Sequence, residues 1–184
     1  MASPTKEQQE AAQEFAGLVI AALKNDRGVH AETAIAATAR MAGTFLFRSF
    51  AFPISSVTPG QAVFSDAANE QGPKLAQILG NVLAHIGVKL DSSRLVPNKD
   101  PAHQPQMDFL STQKLLEPSF SRTQDALNLS YSEAAESAAM ATALLVQKCI
   151  PVLDPHLAFG IAAYGFVEGT KTAPDPVILE RVAV

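Results

Sequence analysis

Helix start and stop signals recur along the whole chain, whereas strand signals are almost absent. Ser3-Pro4 and Asp154-Pro155 each combine a helix-capping residue with a proline suited to the first helical position. Ser132 is a further candidate cap, because Glu133 and Glu136 follow it in the first turn, where acidic side chains interact favourably with the helix dipole. These signals predict an all-α protein.

Hydrophobic periodicity between these signals predicts where the helices run. Helices are expected over about 4–24, 29–50, 73–87, 107–116, 120–129, 132–150 and 155–171, with a short helical piece at 65–71. Gly72-Pro73 and Pro118 should interrupt helices, because proline lacks an N–H group and clashes with the preceding turn. We therefore expect a single all-helical domain over 1–184, packed as a bundle or orthogonal array of about five to seven helices. An irregular loop at about 88–106 and an extended tail at about 172–184 complete the prediction.

Composition and charge exclude two classes of partner. The chain has 184 residues, of which 47% are hydrophobic and 17% charged, enough for one sizeable core. Its net charge is −4, and its 14 lysines and arginines are scattered, so no surface for nucleic acid is predicted. The uncharged stretch at 157–167 is shorter than the roughly 20 residues that span a bilayer. It predicts a buried helix, and no membrane partner is expected.

The amino terminus and the cysteine content predict the compartment. The stretch MASPTKEQQEAAQEF contains acidic residues and lacks the basic start and apolar run of a secretory signal. Cys149 is the single cysteine, so a disulfide framework is excluded and a reducing environment is the simplest setting. We expect a cytoplasmic protein in which Cys149 is a buried small hydrophobic residue rather than a reactive thiol.

Catalytic and metal-binding motifs do not match the chain. A carboxylate-bridged di-metal site requires Glu-x-x-His, and no histidine has a glutamate three residues before it. His30 lies near Glu32 without the spacing of a zinc-protease motif, and His85 and His156 are explained by their positions at helix ends. There is also no nucleophile elbow, P-loop or dinucleotide fingerprint. We predict no metal and no cofactor, and the sequence identifies no catalytic residue.

One polar stripe on the second predicted helix is the candidate binding site. Most of this helix is apolar or small, but Arg40, Thr44 and Arg48 share one narrow face, with the two arginines about 12 Å apart. Such a stripe faces either a thin strip of solvent, where arginine stems lie along apolar surface, or an internal polar cleft. The sequence leaves both alternatives open.

The cleft alternative predicts particular partners for the arginines. Asp66, Asn69 and Glu70 form a dense acidic and amide cluster, and little chain separates them from the second helix. A buried guanidinium keeps its proton and needs a carboxylate, so we expect Glu70 to hold at least one arginine. If one arginine stays unpaired, its charge would bind an anionic small molecule.

The last predicted helix has a face of very small residues. Ala158, Ala162, Gly165 and Gly169 fall on one side of it. A glycine inside a helix costs about 1 kcal/mol relative to alanine, so Gly160 and Gly165 are expected to serve a close approach. That approach is close packing within the bundle, or a ligand or second subunit resting on the groove.

Two functions follow from these features. The first is a non-catalytic interaction or regulatory module, self-associating as a homodimer through apolar helix faces or the VIL tail. The alternative is an anionic small-molecule binding protein or unidentified enzyme with a cleft around Arg40, Arg48 and Glu70. An acid or base role for Glu70 is a subsidiary hypothesis, and an enzyme is the less favoured of the two classes.

Overall fold

The fold consists of six α-helices, as seen in a computed structural model that describes residues 3–50, 57–95 and 100–177. The helices are α1 Lys6–Leu23, α2 Ala31–Ser49, α3 Asp66–His85, α4 Phe109–Ala126, α5 Tyr131–Cys149 and α6 Pro155–Lys171. Two single-turn 3-10 helices, Ser92–Arg94 and Pro101–His103, lie in the irregular loop between α3 and α4. Over these ranges there is no strand, only two isolated β-bridges, so the all-α prediction is confirmed.

Two of the predicted helix caps are wrong by two residues. Thr5, not Ser3, caps α1, and Ser130, not Ser132, caps α5. Both are capping boxes, in which the side chain three residues later bonds back to the cap's N–H group. The Glu133 carboxylate accepts from the Ser130 N–H group, and this second hydrogen bond favours Ser130 over Ser132 as the cap. The predicted cap of α6, Asp154, is confirmed.

The two predicted helix breaks, at Gly72-Pro73 and at Pro118, are wrong, because α3 and α4 each continue through a proline. The reason is packing on both sides of each proline. Leu116 and Phe120 flank Pro118 and are both fully buried. Burying a large apolar side chain contributes about 1.5–3 kcal/mol, so two of them offset the cost of about 3 kcal/mol for an interior proline.

Helix α2 lies at the centre of the fold. Its residues 32–47 are all buried, and it packs most extensively against α6 and α5. One hydrophobic cluster draws residues from all six helices. The stacked rings of Phe15 and Phe120, 4.2 Å apart between centroids, join α1 to α4 within it.

Helices α2 and α6 approach each other with almost no side chain between them. A Cβ atom on Gly169 would lie 2.2 Å from the Arg40 carbonyl oxygen, and one on Gly165 would lie 2.8 Å from the Cβ of Ala39. A Cβ on Gly43 would lie 2.6 Å from the Thr170 nitrogen. The small-residue face of α6 therefore packs against α2, which confirms close packing within the bundle as the reason for Gly165.

The tail after α6 begins with extended backbone at Thr172 and bends at residues 175–177. Ala173 forms two hydrogen bonds with the 60–61 segment: its carbonyl accepts from Gly60 at 2.8 Å, and its N–H group donates to Gln61 at 2.9 Å. Asp175 then donates its N–H group to the Gln113 side chain of α4 at 2.9 Å. The Pro176 carbonyl accepts from Arg48, in the last turn of α2, at 3.1 Å. Most of the predicted VIL contact lies outside the described residues. None of the helices described is both long and apolar enough to cross a membrane.

Candidate functional site

Arg40 is buried and connects three helices. Its Nε donates to Glu168 Oε2 on α6 at 2.6 Å. Its Nη1 donates to the Met107 carbonyl and, at 3.4 Å, to the Thr112 hydroxyl at the start of α4. One carboxylate therefore balances the charge of Arg40, and the Met107 and Thr112 oxygen atoms accept from a second part of the guanidinium.

Arg48 is held in a bidentate pair two turns further along α2. Its Nε and Nη2 donate to the two carboxylate oxygens of Glu117 on α4, with an Nη2–Oε2 distance of 3.0 Å. Its Nη1 donates to the Pro176 carbonyl of the tail at 3.1 Å. The Arg48 side chain is 3% exposed and that of Glu117 is 11% exposed. This geometry is the strongest that an arginine and a carboxylate adopt.

The arginine stripe thus packs between α2, α4 and α6, and both arginine side chains are buried rather than exposed to solvent. The predicted partner is wrong. Asp66, Asn69 and Glu70 lie on the exposed side of the first turns of α3, and Asn69 accepts from Lys171 at 2.8 Å. The physical reason is that Ala68 faces the core and turns its polar neighbours outward.

Sequence reasoning missed Glu117 and Glu168, although each carries a weak signal. Glu168 is the only acidic residue inside the otherwise apolar pattern of α6, and Glu117 lies in the apolar stretch LLEPSF. A lone carboxylate within an apolar helical pattern is rarely buried unless it is paired. That signal could have matched these two residues with the two arginines.

The two pairs leave no net charge for an anion. Each guanidinium has its own carboxylate, so neither arginine supplies the spare positive charge that ligand binding at Arg40, Thr44 and Arg48 would use. An open groove of about 550 Å³ lies beside Gln113, Glu117 and Asp175. Glu117 already accepts from both Arg48 and Gln113 there, so its carboxylate is not free to act as a base. The anionic ligand remains a prediction that these contacts do not support.

Thr44 is the unusual residue of the stripe. It is fully buried one turn from each arginine, and its hydroxyl has no hydrogen-bond partner in the described part of the chain. A buried hydroxyl without a partner costs about 1–3 kcal/mol unless a water molecule satisfies it.

A second polar cluster attaches the 100–106 segment to the start of α2. Glu32 lies between His103, at 2.7 Å, and His30, at 3.4 Å, and Gln106 donates its N–H group to the Thr33 hydroxyl at 2.9 Å. Burial raises the pKa of Glu32, but hydrogen bonds from His103 and the backbone outweigh it, so the pKa is lowered overall. Glu32 is therefore an ionised acceptor that anchors the loop.

Two further titratable groups, His156 and Cys149, have structural explanations. Nε2 of His156 accepts from the Asp91 N–H group at 2.9 Å, so its Nδ1 carries the proton and donates to Asp154 at 3.0 Å. Burial, together with the charge of Glu32, raises the pKa of the half-buried Cys149 thiol, as in an inert packed cysteine. Within the ranges that the structure describes, no group of three or more histidine, cysteine, aspartate or glutamate residues could hold a metal ion.

The outward side of α6 carries a different kind of surface. Leu157, Gly160, Tyr164 and Val167 follow one another on the side opposite the small-residue face, and we call them the outer stripe. Tyr164 is 68% exposed and Val167 is 53% exposed. Gly160, Tyr164 and Val167 line an open groove of about 600 Å³, together with other apolar residues of α6 and with Pro105 of the anchored loop.

No protein-family model, curated protein or solved structure matches the chain.

Proposed function

We propose that this protein is a non-catalytic interaction module that self-associates as a homodimer through the outer stripe of α6. The observation that carries the proposal is the exposure of Tyr164 and Val167 beside an apolar groove. Exposed apolar surface of this kind, bordered by polar residues, is typical of protein–protein contact sites.

The sequence of α6 supports the proposal. Between Leu157 and Val167 the helix has no charged residue, so it is apolar around its whole circumference. A helix of that kind is normally buried on every side. Helix α2 covers one side of α6, and the outer stripe is the side that a partner would cover. Tyrosine suits such a position, because it combines a large apolar ring with a polar hydroxyl.

The charge balance of the two arginine–glutamate pairs favours this function over the binding of an anionic ligand. Glu168 and Glu117 balance Arg40 and Arg48, and the pairs connect α2 to α6 and α4. Their role is to fix the helices that present the outer stripe. A cytoplasmic location accords with a single cysteine that has no partner for a disulfide.

Sedimentation velocity at micromolar concentration tests the proposal. We expect wild-type protein to sediment as a dimer and Tyr164→Glu to sediment as a monomer, because the substitution places two carboxylates at the contact. Leu115→Glu is the matched control: Leu115 is a 42% exposed apolar residue on α4, away from the outer stripe, and this variant should remain dimeric. A wild-type monomer, or a dimer insensitive to Tyr164→Glu, would reject the proposed surface.

A further inference from the structure

We propose that His156 is a pH-sensitive latch, which holds residues 91–94 against the start of α6 while its ring is neutral and releases them when the ring gains a proton. The next residue, Leu95, lines the groove of about 600 Å³ beside α6. A fall in pH therefore opens one side of that groove. The latch needs a single chain, so it operates whether or not the protein self-associates.

The geometry around His156 requires a neutral ring. Its Nε2 atom accepts a hydrogen bond from the backbone N–H group of Asp91 at 2.9 Å, and a ring nitrogen that accepts carries no proton. Its Nδ1 atom donates to a carboxylate oxygen of Asp154 at 3.0 Å. When Nε2 takes a proton from water, it becomes a donor that faces another donor, so the hydrogen bond to Asp91 is lost.

The charged groups that meet His156 belong to α6 and to the segment that the latch holds. Asp154 bonds to the ring from α6, and the Asp91 carboxylate interacts with the charge of the ring. Arg94 donates to the other oxygen of Asp154 at 3.0 Å. Among the described residues, no further titratable side chain forms a hydrogen bond or ion pair with His156. The two carboxylates attract a proton to the ring, and a protonated ring repels Arg94.

Both carboxylates remain ionised while the ring titrates. Burial raises the pKa of Asp154, but hydrogen bonds from the backbone and from the His156 ring outweigh it and lower that pKa to about 2. Hydrogen bonds from Ser93 lower the pKa of Asp91. Imidazole is the side chain that ordinarily changes charge between about pH 5 and 8. Protonation of His156 is therefore the change in charge that this cluster undergoes in that pH range.

The 91–94 segment, rather than the ring, is the part that moves. Asp154 is fixed as the cap of α6, because its carboxylate accepts from N–H groups of the first helical turn. The 3-10 helix Ser92–Arg94 has three residues, and none of them is buried. Its ion pair between Arg94 and Asp154 is largely exposed, and exposed pairs contribute little to stability. Loss of the hydrogen bond at Asp91 therefore removes the better shielded of its two polar contacts with α6.

The release affects one wall of the groove beside α6. Leu95 and Pro105 both line the groove from the connection between α3 and α4. Gln106, which follows Pro105, donates its N–H group to the Thr33 hydroxyl on α2 at 2.9 Å. Neither group of that hydrogen bond titrates between about pH 5 and 8, so the Pro105 side stays attached while the Leu95 side is released.

Nuclear magnetic resonance of the full chain at about pH 7.5 and about pH 5.5 tests the latch. We expect Nε2 of His156 to gain its proton across this interval. Over the same interval, the protection of the Asp91 N–H group against hydrogen exchange should fall about tenfold, after correction for intrinsic exchange, because one hydrogen bond is lost. N–H groups in the middle of α6 should keep their protection.

Two glutamine variants separate the latch from other effects of pH. In His156→Gln, the side-chain oxygen takes the place of Nε2 and accepts from Asp91 at both pH values, so protection should no longer change with pH. His85→Gln is the matched control, because His85 is an exposed residue at the end of α3. That variant should keep the wild-type pH dependence. Circular dichroism checks the fold of both variants.

Three results would overturn the latch. The first is equal protection of the Asp91 N–H group at both pH values in wild-type protein. The second is a His156 ring that stays neutral at about pH 5.5. The third is a pH dependence that persists in His156→Gln, which would assign the release to another group. If His156→Gln does not fold, the wild-type measurement still decides, because one sample reports both the ring and the Asp91 N–H group.

Discussion

Arg40 and Arg48 stay charged between helices because each meets a carboxylate and at least one further oxygen atom. An arginine cannot lose its proton to adapt to burial, so the surrounding helices must supply the compensating charge. Glu168 on α6 and Glu117 on α4 do so. We therefore expect the two pairs to act mainly on specificity, by fixing how α2 lies against its neighbours.

The Arg48–Glu117 pair should be non-additive in a double-mutant cycle. Arg48→Met alone leaves a buried carboxylate unpaired, and we expect a loss of about 3–5 kcal/mol in the free energy of unfolding. The double variant Arg48→Met with Glu117→Leu should be considerably closer to wild type, because no unpaired charge remains. Urea unfolding measures both. Glu70→Gln, at an exposed position, is the control and should change stability by less than about 0.5 kcal/mol. Small, additive losses would show that the pair is solvated.

Thr44 allows a matched test on the same helix. Thr44→Val removes a buried hydroxyl that has no partner among the described residues, so we expect a gain of about 1 kcal/mol in unfolding free energy. Thr38→Val is the control, because Thr38 is equally buried and its hydroxyl donates to the Ala34 carbonyl at 2.8 Å. That variant should lose stability. If Thr44→Val is the more damaging of the two, the Thr44 hydroxyl has a partner such as a bound water.

At the scale of elements, the close approach of α2 and α6 defines the fold. Their backbones meet where Gly43 and Gly169 face each other, and no side chain could be added there without moving a helix. This contact sets the direction of α6. It therefore also determines which residues of α6 point outward in the outer stripe.

Glycine-to-alanine substitutions should have opposite effects in α6 and α1. Gly169→Ala places a methyl group 2.2 Å from the Arg40 carbonyl oxygen, and the backbone can relieve this contact only if the helices separate. We therefore expect a loss of about 3 kcal/mol in unfolding free energy. Gly17→Ala, in α1, meets nothing within 4 Å and should gain up to about 1 kcal/mol through helix propensity. Thermal or urea unfolding of both variants checks the prediction. Equal effects would show that α2 and α6 are not in close contact.

The sequence predicts helix features that depend on neighbouring residues in the chain. It does not predict features that depend on tertiary packing. The cap at Asp154 and the small-residue face of α6 depend only on neighbouring residues, so both could be predicted. The continuation of α3 through Pro73 and of α4 through Pro118 could not be predicted, because it depends on buried residues on either side of each proline. The apolar pattern of α2 is compatible with either exposed or buried arginines, so it does not determine the burial of Arg40 and Arg48. The partners of these arginines depend on how α4 and α6 pack against α2. The distance between residues along the chain does not reveal that packing.

At the scale of the whole molecule, α2 is a central helix whose neighbours are fixed by glycine contacts and ion pairs. This arrangement leaves α6 as an apolar helix with one side against α2 and the other carrying the exposed Tyr164 and Val167. The stability of the fold and the proposed contact surface thus depend on the same helix. An interaction module, rather than a ligand-binding cleft, is the function that this arrangement favours.

Native mass spectrometry of the purified protein tests that claim most directly, because it reports subunit number and retained ligands together. We predict a species of twice the chain mass with no small molecule bound, in protein at micromolar concentration. A monomer carrying one anionic small molecule per chain would contradict the claim and would support an anion-binding site at Arg40 and Arg48.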